Sequence, residues 1–298
     1  RPMRSGLPGH PITFEAAKGE RVVISGKRLL IAAGADLLSR RHIVIRGFIF
    51  QEHAQEFVEG GGGAQILAVN AEDIVVERCV FDGRMNYMFS GHVYRSRDVR
   101  FHNNIFLSHW STILATDNLG TLELSRNTFL GPTIHKLYGN RNDRVVIRNN
   151  LLGENLFPKK ELQYKIVAVG NQKLEMDFNC YYFDPKNKER RFVDYGTLAL
   201  DVAKAGPLPD GSERERFGAK GDLKEWQSRY GQDLHSFIAD PLWENPGLIE
   251  KLRSRARGWP DRTFDYPPFN RSDLRVKADS PCLGKGENGV TIGADTED

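Results

Sequence analysis

The nine residues 98–106 read DVRFHNNIF. Val99 and Phe101 alternate with Arg100 and His102, the period of a strand with one buried face, and two asparagines then interrupt the pattern before Ile105 and Phe106. The phrase recurs as HIVIRGFIF at 42–50, DIVVERCVF at 73–81, TLELSRNTF at 121–129, RVVIRNNLL at 144–152 and KLEMDFNCY at 173–181. Anchored on its second residue, the series runs Ile43, Ile74, Val99, Leu122, Val145 and Leu174. With Val22 of RVVISG placed in front, the spacings by subtraction are 21, 31, 25, 23, 23 and 29. One strand pattern per repeat of this length marks a solenoid whose coils stack on one another.

Five residues after the anchor stand Cys79, Asn104, Asn127, Asn150 and Asn179. An asparagine at one place in successive coils can stack as a ladder, each side-chain amide bonding the next and satisfying turn backbone. The pattern predicts an all-β chain, a right-handed parallel β-helix solenoid with coils about 4.8 Å apart, and a few short helices in its C-terminal part. The whole of 1–298 reads as a single β-helix domain. Coils occupy about 12–183, an excursion about 184–221, and a helical flank with a closing segment about 222–298. DPKNKERR and GPLPDGSERERFGAKG break the strand pattern in the excursion. Beyond it, Asp222 with Glu225 suits a helix N-terminus before LKEWQSRYG, and PGLIEKLRSRARG reads as a second helix with Pro at its start and Gly at its end.

Bulk properties exclude several classes. The 42 Lys and Arg against 39 Asp and Glu leave a net charge of +3, without the concentrated basic patch of a nucleic-acid binder. No apolar run approaches a membrane span, so neither nucleic acid nor membrane is an expected partner. The opening RPMRSGLPGH lacks the basic-then-apolar pattern of a signal peptide, and little precedes the first coil, which points to a trimmed chain. Cys79, Cys180 and Cys282 are too few and scattered for a disulfide framework or a CxxC metal site, and are expected to be buried structural thiols.

A second strand precedes each anchor phrase: AQILAVN, SGHVYRS, STILATDN, HKLYGN and KIVAVGN. Counting back from the anchors, Ile66 and Ala68, Gly91 and Val93, Leu114 and Thr116, Leu137 and Gly139, and Ile166 and Ala168 should point inward. The intervening residues should then point outward. The outward column gathers His92, Tyr94, Asp117, Lys136, Tyr138, Asn140 and Lys165. In this count only Ala115 separates His92 from Tyr138, and Lys136 stacks on Lys165, where like charges would disfavour full protonation. The strand of the anchor phrases itself projects Glu77, Arg100, Glu123, Arg148 and Glu175 with alternating sign, a salt-bridged face that needs no function to explain it.

Beyond the repeats, SGLPGHPITFEAAKGERVVISG resembles the opening coil of the alginate lyase and chondroitinase B branch of the pectate-lyase-like superfamily. SDLRVKADSPCLGKGENGVTIGADTED resembles the closing segment of many bacterial members. With the coils, the resemblance covers most of 5–183 and 222–298. It implies a secreted or periplasmic carbohydrate-active protein, most naturally a polysaccharide lyase that cleaves a uronic-acid-containing polysaccharide by β-elimination. The implied partner is an acidic polysaccharide or oligosaccharide.

β-Elimination needs a group or metal to neutralise the C6 carboxylate, a base for the C5 proton and an acid for the leaving oxygen. Lys136 is the candidate base, Tyr138 or His92 the acid, and Arg141, Arg95 or Lys165 the neutraliser. Asp117 can orient a cation or a hydroxyl. No cofactor is demanded, and calcium is the candidate metal. Tyr94, Trp110, His135 and Asn140 complete the substrate-binding set. The lysine and arginine phrases of the resembled branch are not reproduced: ILATDN stands where the lysine is sought, and HKLYGNRN matches the arginine phrase only loosely. A glycoside hydrolase on the same fold is the alternative. It needs two carboxyl groups about 5–9.5 Å apart, for which Asp117 would have to pair with Glu56, Glu59, Asp82 or Glu154. A non-catalytic glycan-binding solenoid, with Tyr94, Trp110 and Tyr138 as stacking platforms, is the third reading.

Overall fold

The computed structural model describes residues 1–25, 33–51, 64–83, 89–108, 111–116, 119–130, 134–139, 144–153, 163–170, 173–183, 190–196, 215–218, 222–256 and 269–297. The anchor phrases form sheet 1, with strands Ile12–Glu15, Arg41–Arg46, Glu72–Glu77, Arg97–His102, Thr121–Ser125, Arg144–Arg148 and Lys173–Asp177, all parallel. Ile12, Ile43, Ile74, Val99, Leu122, Val145 and Leu174 occupy one row, each paired with the next. All six anchors from Ile43 onward therefore sit in register. The member ahead of them is Ile12 and not Val22: Val23–Ser25 pairs with Ile49–Gln51 in a different sheet. Period-two alternation does not distinguish one sheet of a coil from another, and ITFE, on a sheet edge and mostly exposed, is less apolar than RVVISG.

From sheet 1 the chain turns into sheet 2 (Val23–Ser25, Ile49–Gln51, Val80–Gly83, Ile105–Ser108, Thr128–Phe129, Leu151–Leu152, Cys180–Tyr181, Phe237–Ile238). It then enters sheet 3 (Ala33–Asp36, Ala64–Val69, Phe89–Tyr94, Ser111–Thr116, Ile134–Gly139, Gln163–Gly170, Arg190–Gly196, Glu215–Gly218) and returns to sheet 1 one coil later. The molecule is thus all-β, with stacked parallel sheets in the manner of a β-helix-like solenoid. Within 184–221, read from the sequence as an excursion, Arg190–Gly196 adds to sheet 3 in parallel and Glu215–Gly218 pairs with it antiparallel.

The corner between sheets 1 and 2 is made by one residue per coil with positive φ: Arg78, Asn103, Arg126, Asn149 and Phe178, at 53–56°. The next residue is the ladder position. The Oδ1 of Asn127 accepts from the amide of Asn104 at 2.9 Å and from its Nδ2 at 3.1 Å, while the Nδ2 of Asn127 donates to Phe101 O at 2.9 Å and to Asn150 Oδ1 at 3.1 Å. Asn104, Asn150 and Asn179 repeat the arrangement, and Cys79 ends it by donating its amide to Asn104 Oδ1. A fully buried amide is tolerable because its donors and acceptor are used.

Inside the solenoid the last letter of four successive phrases becomes a stack of rings. Phe50 and Phe81 lie 5.1 Å apart, Phe81 and Phe106 4.7 Å, and Phe106 and Phe129 4.8 Å, within 7° of coplanar. The helix α1 (Asp222–Tyr230) buries Leu223 and Trp226 against Leu174, Met176 and Tyr181, plugging the interior where the last coils would expose it. Asp233, fully buried behind it, receives hydrogen bonds from Asn179 Nδ2, Tyr181 OH, Trp226 Nε1 and Ser236 Oγ, and so closes the ladder. Burial raises this carboxyl to about 6 against the pull of those donors.

Helix α2 (Pro246–Ala256) and the closing segment lie over sheet 2. All three cysteines are free and buried. Among the described residues no helix is long and apolar enough to cross a membrane.

Candidate functional site: the outer face of sheet 3

The three outer faces of the solenoid differ in what occupies them. Sheet 1 carries ladders of ion pairs between coils: Arg46 with Glu15 and Glu77, Arg100 with Glu123, Arg144 with Glu175, and Arg148 with Glu175 and Glu287. Sheet 2 is covered. Its outer residues Val80, Ile105, Leu107, Leu151 and Cys180 form a second core with Trp243, Leu248, Phe269, Leu274, Cys282 and Ile292 from the C-terminal part. On sheet 3, Leu67, Val69, His92 and Tyr94 are left partly open, although Gln65 and Ser90 at the start of the same face are buried. The outward column read from the sequence lies on this sheet.

Two residues of the column, with the candidate neutraliser Arg95 next to them, have described side chains. His92 and Tyr94 project from one strand two residues apart, their ring centroids 6.5 Å apart and tilted by 43°. Arg95 follows in the left-handed region, φ 48°, and lays its guanidinium 5.1 Å from the centre of the Tyr94 ring. Burial lowers the His92 pKa from its ordinary 6.5, so the imidazole is neutral at neutral pH. The group can accept a proton, next to a phenol that can donate one and a fixed positive charge.

The register corrects the count behind the column. Leu114 pairs with His92 and Thr116 with Tyr94, while Ile113 and Ala115, expected to point outward, are buried with Gly91 and Val93 in the neighbouring strand. Thr116 stands six residues before its anchor Leu122 and Tyr94 five before Val99, so the turn leaving sheet 3 is one residue longer in this coil. Counting back over a fixed turn therefore inverted the strand. A Cβ on inward Gly91 would lie 2.8 Å from both Ile113 Cδ1 and Phe101 Cζ, so this position, between Ile66 and Ile113 in the row, has no room for a larger residue.

Tyr138 pairs with Thr116, and so shares a row with Tyr94 and not with His92. Lys136 and Lys165 are not opposite each other. Ile134 pairs with Ile166 but Leu137 with Ala168, so the strand carrying His135 and Lys136 holds one extra residue at this point, and Lys165 lies ahead of it. The like-charge argument for a lowered lysine pKa loses its geometric basis. Lys136, Tyr138, His135 and Lys165 are placed by backbone register only. Trp110, Asp117, Asn140 and Arg141, and the loop carboxylates Glu56, Glu59 and Glu154, lie outside the described residues. Asp82 is buried and accepts from Gln51 Nε2 at 3.2 Å, the position of a structural carboxylate.

Calcium requires six to eight oxygen ligands. Among the described residues no three His, Cys, Asp or Glu side chains converge to hold an ion. The sequence reading missed the covered face of sheet 2; the outward apolar row Val80, Ile105, Leu151 and Cys180, one residue past each ladder position, was its signal. Comparison of the chain with protein-family models, with curated proteins and with solved structures returned no match.

Proposed function

We propose that the chain is a right-handed parallel β-helix of the pectate-lyase-like kind, and that the outer face of sheet 3 binds an acidic polysaccharide and cleaves it by β-elimination. The observation that carries the reading is the pairing of a neutral, half-buried His92 with Tyr94 and Arg95 on the face left partly open. Arg95 neutralises the C6 carboxylate, which makes the C5 proton more acidic. His92 takes that proton, and a phenol of the Tyr94, Thr116 and Tyr138 row, with Tyr138 the first choice, protonates the departing oxygen. Lys136 and Lys165, two and three strands further along the same sheet, add positive charge along the path of a polyanion. This assignment gives the proton-abstracting role to His92, since its burial supplies a base where the two lysines are out of register. A secreted or periplasmic setting follows from the substrate class, and calcium remains a candidate neutraliser to be tested by chelation.

The test is incubation with a panel of polyuronates and neutral glycans, following ultraviolet absorbance from new C=C bonds together with reducing ends. Both signals on a polyuronate support the lyase. Reducing ends alone mean a hydrolase, and retention on a glycan with neither signal means a binding solenoid; either result rejects the proposal.

A further inference from the structure

Cys180 and Cys282 enter the second core from opposite sides. Cys180 stands in the outer row of sheet 2, paired with Leu151 and Phe237 in the neighbouring strands, its Sγ 3.7 Å from Ala239 O. Cys282 belongs to the closing segment, where its amide donates to Ser280 Oγ at 3.1 Å and its carbonyl accepts from Ile292 at 2.9 Å. Both side chains are fully buried in one cluster, and the segment around Cys282 is bonded to the chain on either side of Cys180: Ser280 Oγ donates to Pro241 O at 2.7 Å, two residues from Ala239, and Gly293 donates its amide at 2.8 Å to Asn149 O, two residues before the Leu151 that pairs with Cys180. Cys79 sits elsewhere, in the interior core, with its Sγ directed at the carbonyls of Ile45 and Glu77. Backbone pairing on each side fixes where the two partners stand in that cluster.

We propose that Cys180 and Cys282 are a redox pair whose oxidation by a small-molecule disulfide latches the closing segment to the last coils of the solenoid. Both thiols are buried once the second core has formed, so exchange takes place before the closing segment docks: the Cys282 thiolate attacks oxidised glutathione and releases one glutathione thiolate. Cys180 then loses its proton and its sulfur displaces the second glutathione from the mixed disulfide. One S–S bond is broken and one formed, and two glutathione thiols carry away the electrons. The latch is independent of what sheet 3 binds.

The full chain, unfolded under reducing conditions, is refolded in mixtures of reduced and oxidised glutathione, quenched with acid, and digested for mass spectrometry, with free thiols counted in denaturant. Across the oxidising ratios, the 3 thiols of the chain should fall to a single one, with the peptides containing Cys180 and Cys282 joined. The oxidised form should melt at a higher temperature than the reduced form, and reductant should abolish the difference. The link should persist in Cys79→Ala and vanish in Cys282→Ala; if either variant fails to fold, the wild-type peptide map alone decides. Every thiol still titrating at the most oxidising ratio, a link through Cys79, or mixed disulfides with glutathione as the sole product would overturn the proposal.

Discussion

Tyr94 and Tyr138 occupy one row of sheet 3 with only Thr116 between them. Two strand spacings set their backbones roughly 10 Å apart, so a chain lying across the strands can meet both. Tyr138→Phe and His92→Ala should each lower kcat/KM on the active polyuronate at least tenfold, about 1.4 kcal/mol of barrier. Arg100→Ala, which breaks the pair with Glu123 on sheet 1, should leave it within about twofold, as expected for an exposed ion pair remote from the site. Unchanged activity in both sheet 3 variants removes the assignment of this face.

The protonation state of His92 gives a second check. A base works in its neutral form, and burial holds the His92 pKa below 6.5, so the neutral form persists to lower pH than in an exposed histidine. The acid limb of the kcat/KM profile should therefore lie below pH 6.5 and disappear in His92→Ala. A limb above that value argues for a different base.

Stability depends on the ladder. Asn127→Ala strands the buried amide of Asn104 and the carbonyl of Phe101 without partners. At roughly 1–3 kcal/mol for each unsatisfied group, the loss should be about 2–6 kcal/mol by denaturant titration. A change below 1 kcal/mol would mean that water or a relaxed turn replaces the bonds.

Asp233 should make stability fall as pH rises. Its carboxyl is raised from 3.8 to about 6 in the folded chain, so between these values the folded state holds the proton more tightly than the unfolded one. The group's contribution is complete below about pH 4 and lost as pH rises through 6, a difference of about 3 kcal/mol at 1.36 kcal/mol per unit. Asp233→Asn removes the titration. Plotted as wild type minus variant, unfolding free energy should decline between pH 4 and 7, and a flat difference rejects the account.

Much of this architecture was legible because the core imposes it. The anchor rows must be apolar to fill the interior, so Ile43 through Leu174 could be aligned by eye, and Asn104, Asn127, Asn150 and Asn179 mark the turn that needs an internal hydrogen bond. What failed was counting across loops. Turn length is not constrained by burial: one added residue after Thr116 inverted Ile113 and Ala115, and one within 134–139 set Lys136 and Lys165 out of register. Val22 was misplaced because an apolar alternating strand looks the same in any sheet. The candidate site lies beside such variable turns, so its residues were identifiable by type but not by partner.

The closing segment changes how the repeats share stress. In a simple array each coil touches only its neighbours, so an end can fray while the middle holds. Here Asp295 donates its amide to Asn103 Oδ1, Arg271 donates to the Asn103 carbonyl, and Ala294 and Glu287 bond Thr128 and Asn149. These contacts bridge up to 192 residues of chain, long loops that close only after the intervening coils have formed. The tail should behave as a drawstring: the last part to settle, and one that, once drawn, makes the coils from Asn103 onward open together.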